Sequence, residues 1–321
     1  MKILATLLLL ACTVPGAERR FRIDYAVSID KIPTLANFIE VWLPVPHDDA
    51  YQTISKFNIE SDYTYKIQTG DFGNKMLHMR IPRGTLTTLM LDMQFVVKRR
   101  EHVRILNGAT AGEDKYDQDA NLQRWLEPDR LVPLDPKIRA WAKEVADAAN
   151  AHTDLEKARA IYNHVVATIK FDTTGQGWGR GDIYYVYDSH RGNCTDFHAI
   201  FIGYARALGI PARFSIGLPL PKERGQGTIP GYHCWAEFYI KGVGWIPVDA
   251  SEAAKDPARR EYFFGAHDEN RIEFTRGRDL TLTPRQHGDP LNYFIYPYVE
   301  IDGKPFPTVD AKFRYADLST K

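Results

Sequence analysis

Three residues in chain order, Cys194, His233 and Asp249, have the chemical types needed for catalysis by a nucleophilic thiol. Cys194 follows Asn193 and precedes an amphipathic stretch, which predicts that Asn193 caps a helix and that Cys194 lies in its first turn. Unpaired N–H groups and the helix dipole favour an anion there, so the pKa of the thiol should be lowered. The same N–H groups can stabilise a carbonyl oxygen that becomes negative during acyl transfer. Cys194 is therefore the predicted nucleophile.

The helix that positions Cys194 is predicted from the spacing of its apolar residues. Asp196 suits the positive end of the helix dipole, and Gly209 followed by Pro211 ends the helix. The apolar stripe consists of Phe197, Ile200, Phe201, Tyr204, Ala205 and Leu208. This 3.6-residue periodicity indicates that one helical face is buried.

His233 and Asp249 are predicted to lie in two strands of one hairpin. Residues 231–240 and 245–249 are rich in aromatic and β-branched residues, and the turn Lys241–Gly244 separates them. The start of one hairpin strand faces the end of the other, so we expect a hydrogen bond between His233 and Asp249. Such a carboxylate fixes the imidazole tautomer and leaves the second ring nitrogen to take the thiol proton.

Four short motifs surround these candidate residues. They are Gly192-Asn193-Cys194, Leu208-Gly209-Ile210-Pro211-Ala212-Arg213, His233-Cys234-Trp235-Ala236-Glu237 and Trp245-Ile246-Pro247-Val248-Asp249. In this order they resemble the core of the transglutaminase-like superfamily. The resemblance is strong from about Asp154 to Ala254, and Trp178–Asp182 and Tyr262–Gly265 resemble a bacterial secreted subgroup.

The resemblance implies an α+β fold with a papain-like cysteine-enzyme core. In such a core the helix that bears the cysteine packs on an antiparallel sheet that bears the histidine and the aspartate. Members of the superfamily are acyl-transfer enzymes, amidases or peptidases, or inactive scaffolds. The family therefore leaves the reaction open.

Cys234 is adjacent to the candidate base, but neighbouring strand residues point to opposite faces of a sheet. If His233 faces the site, Cys234 should face away, so we expect it in the core and unable to bridge to Cys194. Cys194 itself could be only a small buried hydrophobic residue. The His and Asp motifs downstream favour the catalytic interpretation instead.

A metal site is the chemical alternative, because His190, Cys194 and His198 are four residues apart. Asp196, His233 and Cys234 could add ligands. The chain has neither a Cys-x-x-Cys pair nor a His-Glu-x-x-His helix, and the cap at Asn193 would place His190 outside the helix. We therefore predict no metal and no cofactor.

Glycine-rich loops precede both motifs and are expected to form walls of a substrate cleft, although ordinary surface loops remain an alternative. Residues 175–182 and 222–228 lack the Gly-Lys-Ser/Thr ending of a phosphate-binding loop. The candidates for an oxyanion donor or for the cleft lining are Gln176, Trp178, Tyr184, Tyr185, Asn193 and Trp235.

The N-terminus predicts secretion, because Lys2 precedes the apolar run Ile3–Ala11 and small residues follow. Residues 1–17 are the predicted signal peptide. Leu9-Leu10-Ala11-Cys12 also resembles a lipoprotein box, which would leave a lipid anchor at Cys12. We expect a secreted or periplasmic protein with no membrane span.

The 321 residues, of which 44% are hydrophobic, suffice for two or more domains. Period-two patterns between residues 20 and 97 predict a β-sandwich over residues 18–116. Helical patterns follow, so the catalytic domain is placed at residues 117–265. Short strands over residues 266–321 are expected to extend that core. The formal net charge of zero argues against nucleic acid as a partner.

Together these observations predict a cysteine-dependent acyl-transfer enzyme that acts on peptide or carboxamide bonds through an acyl-enzyme. Its partner would be a peptide or protein substrate, such as a cell-envelope peptide. Hydrolysis is favoured over cross-linking because a secreted enzyme meets water and no acidic pocket for an amine is evident. A catalytically silent peptide-binding module and a metal-binding protein remain the alternatives.

Overall fold

The structure is a computed structural model that describes residues 16–82, 86–104, 106, 116 and 119–319. Most of the predicted signal peptide, including Cys12, lies outside these residues, so secretion and lipidation stay predictions. No helix of the described part combines the length and the apolar character needed to cross a membrane.

The described residues form strands and helices in the proportions of an α+β protein. The strands are β1 (Glu18–Asp30), β2 (Phe38–Val45), β3 (Gln52–Glu60), β4 (Lys66–Thr69), β5 (Lys75–Pro82), β6 (Thr88–Arg100), β7 (His102–Val103), β8 (Lys170–Phe171), β9 (Arg191–Gly192), β10 (Ala212–Pro219), β11 (Gln226–Ile229), β12 (His233–Ile240), β13 (Gly244–Val248), β14 (Ala266–His267), β15 (Arg271–Arg276), β16 (Tyr298–Ile301), β17 (Lys304–Pro305) and β18 (Val309–Asp317). The helices are α1 (Ala120–Gln123), α2 (Pro136–Ala148), α3 (Asp154–Thr168), α4 (Ile183–Ser189), α5 (Cys194–Ala207) and α6 (Ala250–Lys255), with 3₁₀ turns at Asp71–Gly73 and Pro257–Arg259.

Two five-stranded antiparallel sheets contain the N-terminal strands. Their orders are β11-β18-β1-β6-β3 and β17-β16-β2-β5-β4. Along β1 every second residue is buried, because successive side chains of a strand point to opposite faces. The inward residues of β1, β2, β5 and β6 belong to one hydrophobic core. The strands predicted from period-two patterning are thereby confirmed.

The C-terminal strands divide between the sheets in a way that differs from the expectation for residues 266–321. β15 pairs with β10 and extends the core sheet as expected. By contrast, β18 pairs with β1, and β16 pairs with β2. The sequence pattern of a strand identifies its buried face but not its partner, so residues 298–317 were assigned to the wrong sheet.

The papain-like core consists of the sheet β13-β12-β10-β15 and the helices packed on it. Helix α5 contacts β12 and β10, and α2, α3, α4 and α6 surround α5. All residues of α5 from Cys194 to Arg206 are buried, so this helix is the centre of the core. The predicted hairpin is present, since β12 and β13 pair antiparallel. The predicted fold class, with the cysteine helix on an antiparallel sheet, is thus confirmed.

Residues 222–228, expected as a flexible wall, are partly ordered as a strand. Gln226–Ile229 forms β11, which pairs with β18. The first half of the segment remains a loop beside the start of β12. The glycines in this segment suggested a loop, but β18 offers an unpaired edge that residues 226–229 complete.

Candidate active site

The N-terminus of α5 is capped as predicted. Oδ1 of Asn193 accepts a hydrogen bond from the Thr195 amide at 2.9 Å. In return, Oδ2 of Asp196 accepts one from the Asn193 amide at 2.9 Å, which completes a capping box. Cys194 is the first residue of the helix, and its side chain is buried.

His233 is the first residue of β12, and its ring joins Asp249 to Cys194. Nε2 of His233 lies 2.7 Å from Oδ2 of Asp249, so the predicted hydrogen bond is confirmed. His233 also interacts with Cys194, since each of the two side chains shifts the pKa of the other. Because Nε2 serves the carboxylate, Nδ1 is the ring nitrogen available to the thiol.

Asp249 is fully buried and accepts hydrogen bonds on both carboxylate oxygens. Oδ1 accepts from Oγ of Ser251 at 3.0 Å and from the Glu252 amide at 3.1 Å. Oδ2 accepts from Nη1 of Arg271 at 3.0 Å in addition to the imidazole. Asp249 therefore caps α6 and holds a buried ion pair at the same time.

Arg271 was not predicted, although it lies in a segment expected to be a strand. Its side chain is buried, and its guanidinium lies 4.9 Å from the centroid of the Trp235 ring. Arginines are rarely buried unless they are paired, so the burial of Arg271 is explained only by its ion pair with Asp249. No local sequence signal indicates that β15 would place an arginine at this carboxylate.

The charges of the three residues shift one another's pKa values. Burial alone would raise the pKa of Asp249, but the charge and hydrogen bond of His233, together with Arg271, hold it well below its usual range. Burial alone would lower the pKa of His233, but Asp249 and Cys194 raise it to about 10. At neutral pH the imidazole is therefore protonated.

The pKa of Cys194 is lowered well below that of a free thiol. Burial alone would raise it, but hydrogen bonds from Cys234 and His233 and the imidazolium charge outweigh burial. The site is therefore arranged as a thiolate beside an imidazolium, which is the reactive form of a cysteine nucleophile.

Cys234 is fully buried in the hydrophobic core, as predicted, but it faces the helix of the nucleophile instead of facing away from the site. Its thiol donates to Oγ1 of Thr195, in the first turn of α5, at 3.6 Å. Strand alternation does hold, since His233 shares a face with Trp235, at 6.0 Å between ring centroids, while Cys234 points toward α5. The prediction was therefore wrong about the face of β12 on which Cys194 lies.

The residues of the alternative metal site are committed to other bonds. Nδ1 of His198 lies 2.7 Å from the carbonyl oxygen of Cys194, and Nε2 accepts from the Ala250 amide at 3.2 Å. Burial lowers the pKa of His198, so its ring is neutral. His190 ends α4 outside the cysteine helix, as expected. Among the described residues, three ligating atoms within 4.8 Å of one another occur at Glu40, His287 and Glu300, in another sheet.

Asp196 and Arg278 anchor the second half of the loop before the nucleophile. The Asp196 carboxylate accepts hydrogen bonds from the amides of Gly179, at 2.6 Å, and Gly181, at 2.9 Å. The buried Arg278 donates to the carbonyl oxygens of Arg180 and Gly181. This part of the loop is therefore held against α5 and is not a free wall.

The candidate oxyanion donors are placed differently from one another. Gln176 is exposed, and the Trp178 indole N–H donates to the Gly175 carbonyl oxygen of its own loop at 3.1 Å. Nδ2 of Asn193 donates to the Tyr232 hydroxyl at 2.9 Å, so both ends of this amide are occupied. None of these three side chains is directed at Cys194 by a hydrogen bond within the described part of the chain.

The aromatic candidates lie around the core instead of around the thiol. The Tyr184 hydroxyl donates to Asp135 at the start of α2, and the Tyr185 ring packs on Gly177. Trp235 is buried beneath Arg271. The sequence missed Tyr232, whose hydroxyl is 3.3 Å from Oγ1 of Thr195 in the first turn of α5.

A buried Cys, His and Asp linked in series on a helix and an antiparallel sheet define a papain-like cysteine-enzyme core. A sequence profile described as Transglutaminase-like superfamily matches residues 139–250, which include all three residues. Residues 139–250 of this chain are thus similar to the transglutaminase-like superfamily.

Two relatives extend the similarity over nearly the whole chain. An uncharacterised protein of Haemophilus influenzae is 28% identical over 320 residues, covering 88% of this chain and 86% of that protein. The crystal structure of a proposed cysteine protease from Cytophaga hutchinsonii has a TM-score of 0.67 at 17% identity, covering 95% of this chain and 93% of that one. At this identity the second likeness shows the fold alone.

Proposed function

We propose that this protein is a cysteine-dependent acyl-transfer enzyme that hydrolyses peptide or carboxamide bonds. The observation that carries the proposal is the buried set Asp249, His233 and Cys194. Asp249 lies 2.7 Å from the imidazole, whose pKa is raised to about 10, and the imidazole helps to lower the pKa of the thiol. A structural cysteine needs no such partners, whereas a nucleophile does.

In the proposed reaction the Cys194 thiolate attacks the carbonyl carbon and forms a tetrahedral intermediate. The negative oxygen accepts a hydrogen bond from the N-terminus of α5, where the Cys194 amide is a first-turn donor that the cap does not use. His233 then gives its proton to the leaving amine, the C–N bond breaks and a thioester remains. Water, deprotonated by His233, releases the acid and restores the thiol pair.

The surroundings of His233 support hydrolysis over cross-linking. An acceptor amine would enter by the path along which the leaving amine departs, beside the imidazole. The cavity at this place is lined by Lys222, Lys255, Arg259 and Arg271 and by only two acids, Glu252 and Asp268. A cationic lysine side chain would be repelled there, whereas water would not.

The test is the rate of alkylation at Cys194 against pH, resolved from Cys234 by peptide mapping. We expect fast labelling well below the free-thiol pKa of about 8.5, and an upward shift of the profile in His233→Ala. Slow labelling that the substitution leaves unchanged would favour the silent binding module. A second assay incubates peptides with a primary amine and measures acid and amide products by mass spectrometry; dominant amide product would reverse the choice of hydrolysis.

We also propose an extracytoplasmic location and a peptide or protein substrate there, such as a cell-envelope peptide. The apolar run Ile3–Ala11 after Lys2 supports export, and Cys12 offers a site for a lipid anchor. The intact mass of the mature protein from its native host tests this. Cleavage after residue 17 supports secretion, a lipid-bearing Cys12 supports anchoring, and an intact Met1 contradicts both.

A further inference from the structure

A cavity of about 170 Å³ opens beside His233, between the end of β10, the start of β12, α6 and the start of β15. His233, one of the three proposed catalytic residues, lines this cavity. Its volume is below the roughly 300 Å³ at which sites for drug-sized ligands begin. The space therefore suits a small chemical group more than a long chain.

The lining of this cavity is positively charged on balance. The two acids are each satisfied by a neighbouring cation: Oε1 of Glu252 lies 2.8 Å from Nζ of Lys255, and Asp268 accepts from both Nη atoms of Arg259 at 3.1 Å. The partners of the other two cations, Lys222 and Arg271, lie outside the lining, at Asp256 and Asp249. Apart from His233, the lining thus has two more basic than acidic side chains, and the closest carboxylate partners of these two cations lie outside it.

Lys222 is free to change partners at small cost. Its side chain is 63% exposed, and its ammonium lies 3.4 Å from Asp256, which is itself 37% exposed. Exposed ion pairs of this kind contribute little to stability, so a carboxylate in the cavity can take over the ammonium.

Arg271 is the second cation of the lining whose closest carboxylate partner lies outside it. Its side chain is buried, and Nη1 lies 3.0 Å from Oδ2 of Asp249. A carboxylate in the cavity would therefore interact with the charge of this guanidinium, which Asp249 holds in a fixed position.

The position of the cavity assigns the guest to one half of the substrate. His233 lines the cavity, and in the proposed reaction it protonates the leaving amine. Groups bound on this side therefore belong to the leaving half, not to the acyl half that stays on Cys194.

We propose that the leaving half carries a carboxylate, which the cavity binds, so that the enzyme releases a C-terminal amino acid from peptides. This inference rests on the proposed function. The C–N bond before the last residue breaks as the Cys194 thioester forms, and the proton of His233 goes to the released amino group. Water then completes hydrolysis, which gives the shortened peptide acid and a free amino acid.

Three peptides separate the sources of the carboxylate. The first ends in a free C-terminal carboxylate, and the second has the same sequence but ends in a carboxamide. The third also ends in a carboxamide, but its last residue is replaced by glutamate. Wild-type turnover of the last peptide bond is measured by mass spectrometry. We expect kcat/KM to be about tenfold higher for the free carboxylate than for the plain carboxamide, as for a charged hydrogen bond. If kcat/KM for the third peptide equalled that for the first, the cavity would bind an acidic side chain instead of the C-terminal carboxylate. This result would overturn C-terminal release.

A matched pair of variants tests the residues. Lys222→Met should raise KM for the free carboxylate several-fold and leave the carboxamide unchanged. The control is Arg224→Met, since Arg224 lies on the same loop, pairs with Glu269 at 2.9 Å and does not line the cavity. Equal effects of the two substitutions would contradict the proposal.

Peptide binding to the Cys194→Ala variant tests the carboxylate site independently of catalytic turnover. Calorimetry of this variant with the first two peptides should give a Kd about tenfold lower for the free carboxylate. Equal Kd values would overturn the carboxylate site even if wild type hydrolyses both peptides. A lower Kd for the carboxylate without any wild-type turnover would uphold the site and refute the hydrolytic function.

Discussion

Two thiols meet at the reactive end of α5, and only one of them has a lowered pKa. Burial would raise the pKa of Cys194, but the neighbouring Cys234 and His233 lower it. Burial, followed by the proximity of Cys194, raises the pKa of Cys234 well above its usual value. Cys234 therefore keeps its proton at neutral pH and donates it to Oγ1 of Thr195 at 3.6 Å.

Removing this thiol should change the titration of the nucleophile. In Cys234→Ala the Cys194 thiolate loses a neighbour that lowers its pKa, so the pKa rises and the alkylation profile moves to higher pH. Cys234→Ser, which keeps a donor, should shift the profile less. The measurement is the alkylation rate against pH, and an unchanged midpoint in Cys234→Ala would show that this thiol does not tune Cys194.

Arg271 makes the stability of the site depend on pH at the acid end. The folded-state pKa of Asp249 is depressed, so its contribution to stability is present above the unfolded pKa of about 3.9 and is lost as pH falls through the folded value. Arg271→Met removes one of the charges that lower the pKa of Asp249, so the contribution of Asp249 to stability begins to fall at a higher pH.

We also expect Arg271→Met to cost about 3 kcal/mol at neutral pH, since it leaves a buried charge short of a partner. Urea unfolding between pH 3 and pH 7 measures both effects. Arg271→Lys keeps the charge and serves as the control. A constant difference from wild type across this pH range would mean that Arg271 acts through packing on Trp235 instead.

At the scale of elements, Gly217 sets how closely β15 approaches β10. Gly217 pairs with His233 on one side and with Glu273 on the other, at a register shift. A Cβ atom at this position would lie 1.7 Å from the carbonyl oxygen of Ile272, so the strands could not keep their spacing.

Gly217→Ala should therefore move β15, and with it Arg271, away from Asp249. We expect a loss of at least about 2 kcal/mol of stability, and slower alkylation of Cys194. Ser215→Ala is the matched control on the same strand, because the Ser215 hydroxyl is buried without a hydrogen-bond partner among the described residues. Thermal unfolding checks the prediction, and similar melting temperatures for the two variants would contradict it.

A structural feature can be predicted from the sequence when the residues that determine it are close together along the chain. The cap at Asn193 and the stripe of α5 are local, so they were predicted with the right residues. The hydrogen bond between His233 and Asp249 follows from a short hairpin. Other features depend on contacts between segments that are distant in the sequence: Arg271 at Asp249, Cys234 near Cys194, and the pairing of β18 with β1. The periodicity of apolar residues, two in a strand or 3.6 in a helix, carries no information about such contacts.

At the scale of the whole molecule, the N-terminal sheet supports the loop beside the cavity. The buried Arg19 of β1 donates to the Pro221 carbonyl oxygen at 2.6 Å and to Oδ1 of Asn270 at 2.8 Å. It also forms a two-pronged ion pair with Asp317 of β18. The sheet thus fixes Asn270, which lines the cavity, and Pro221, which lies between the lining residues Leu220 and Lys222.

Arg19→Met should loosen these walls without altering the nucleophile. We expect a higher KM for peptide substrates and a melting temperature lower by several degrees, while the alkylation profile of Cys194 stays unchanged. Arg22→Met is the control, because Arg22 is 42% exposed and pairs within its own strand with Asp24. If Arg19→Met altered the alkylation profile, the sheet would be coupled to the thiol itself.

The pairing of β18 with β1 also bears on the order in which the protein can fold. Phe21 is the register partner of Asp317, so β1 must wait until residues 309–317 have been synthesised before it can pair with β18. Because β18 lies between β1 and β11, neither of these strands is covered on that side before residues 309–317 arrive. Contacts between such distant positions form slowly, and an uncovered strand edge invites pairing with other chains. A ribosome that stops just before residue 309 would therefore release a protein whose reactive centre is complete in sequence but whose sheet of β11, β18, β1, β6 and β3 lacks its β18 strand.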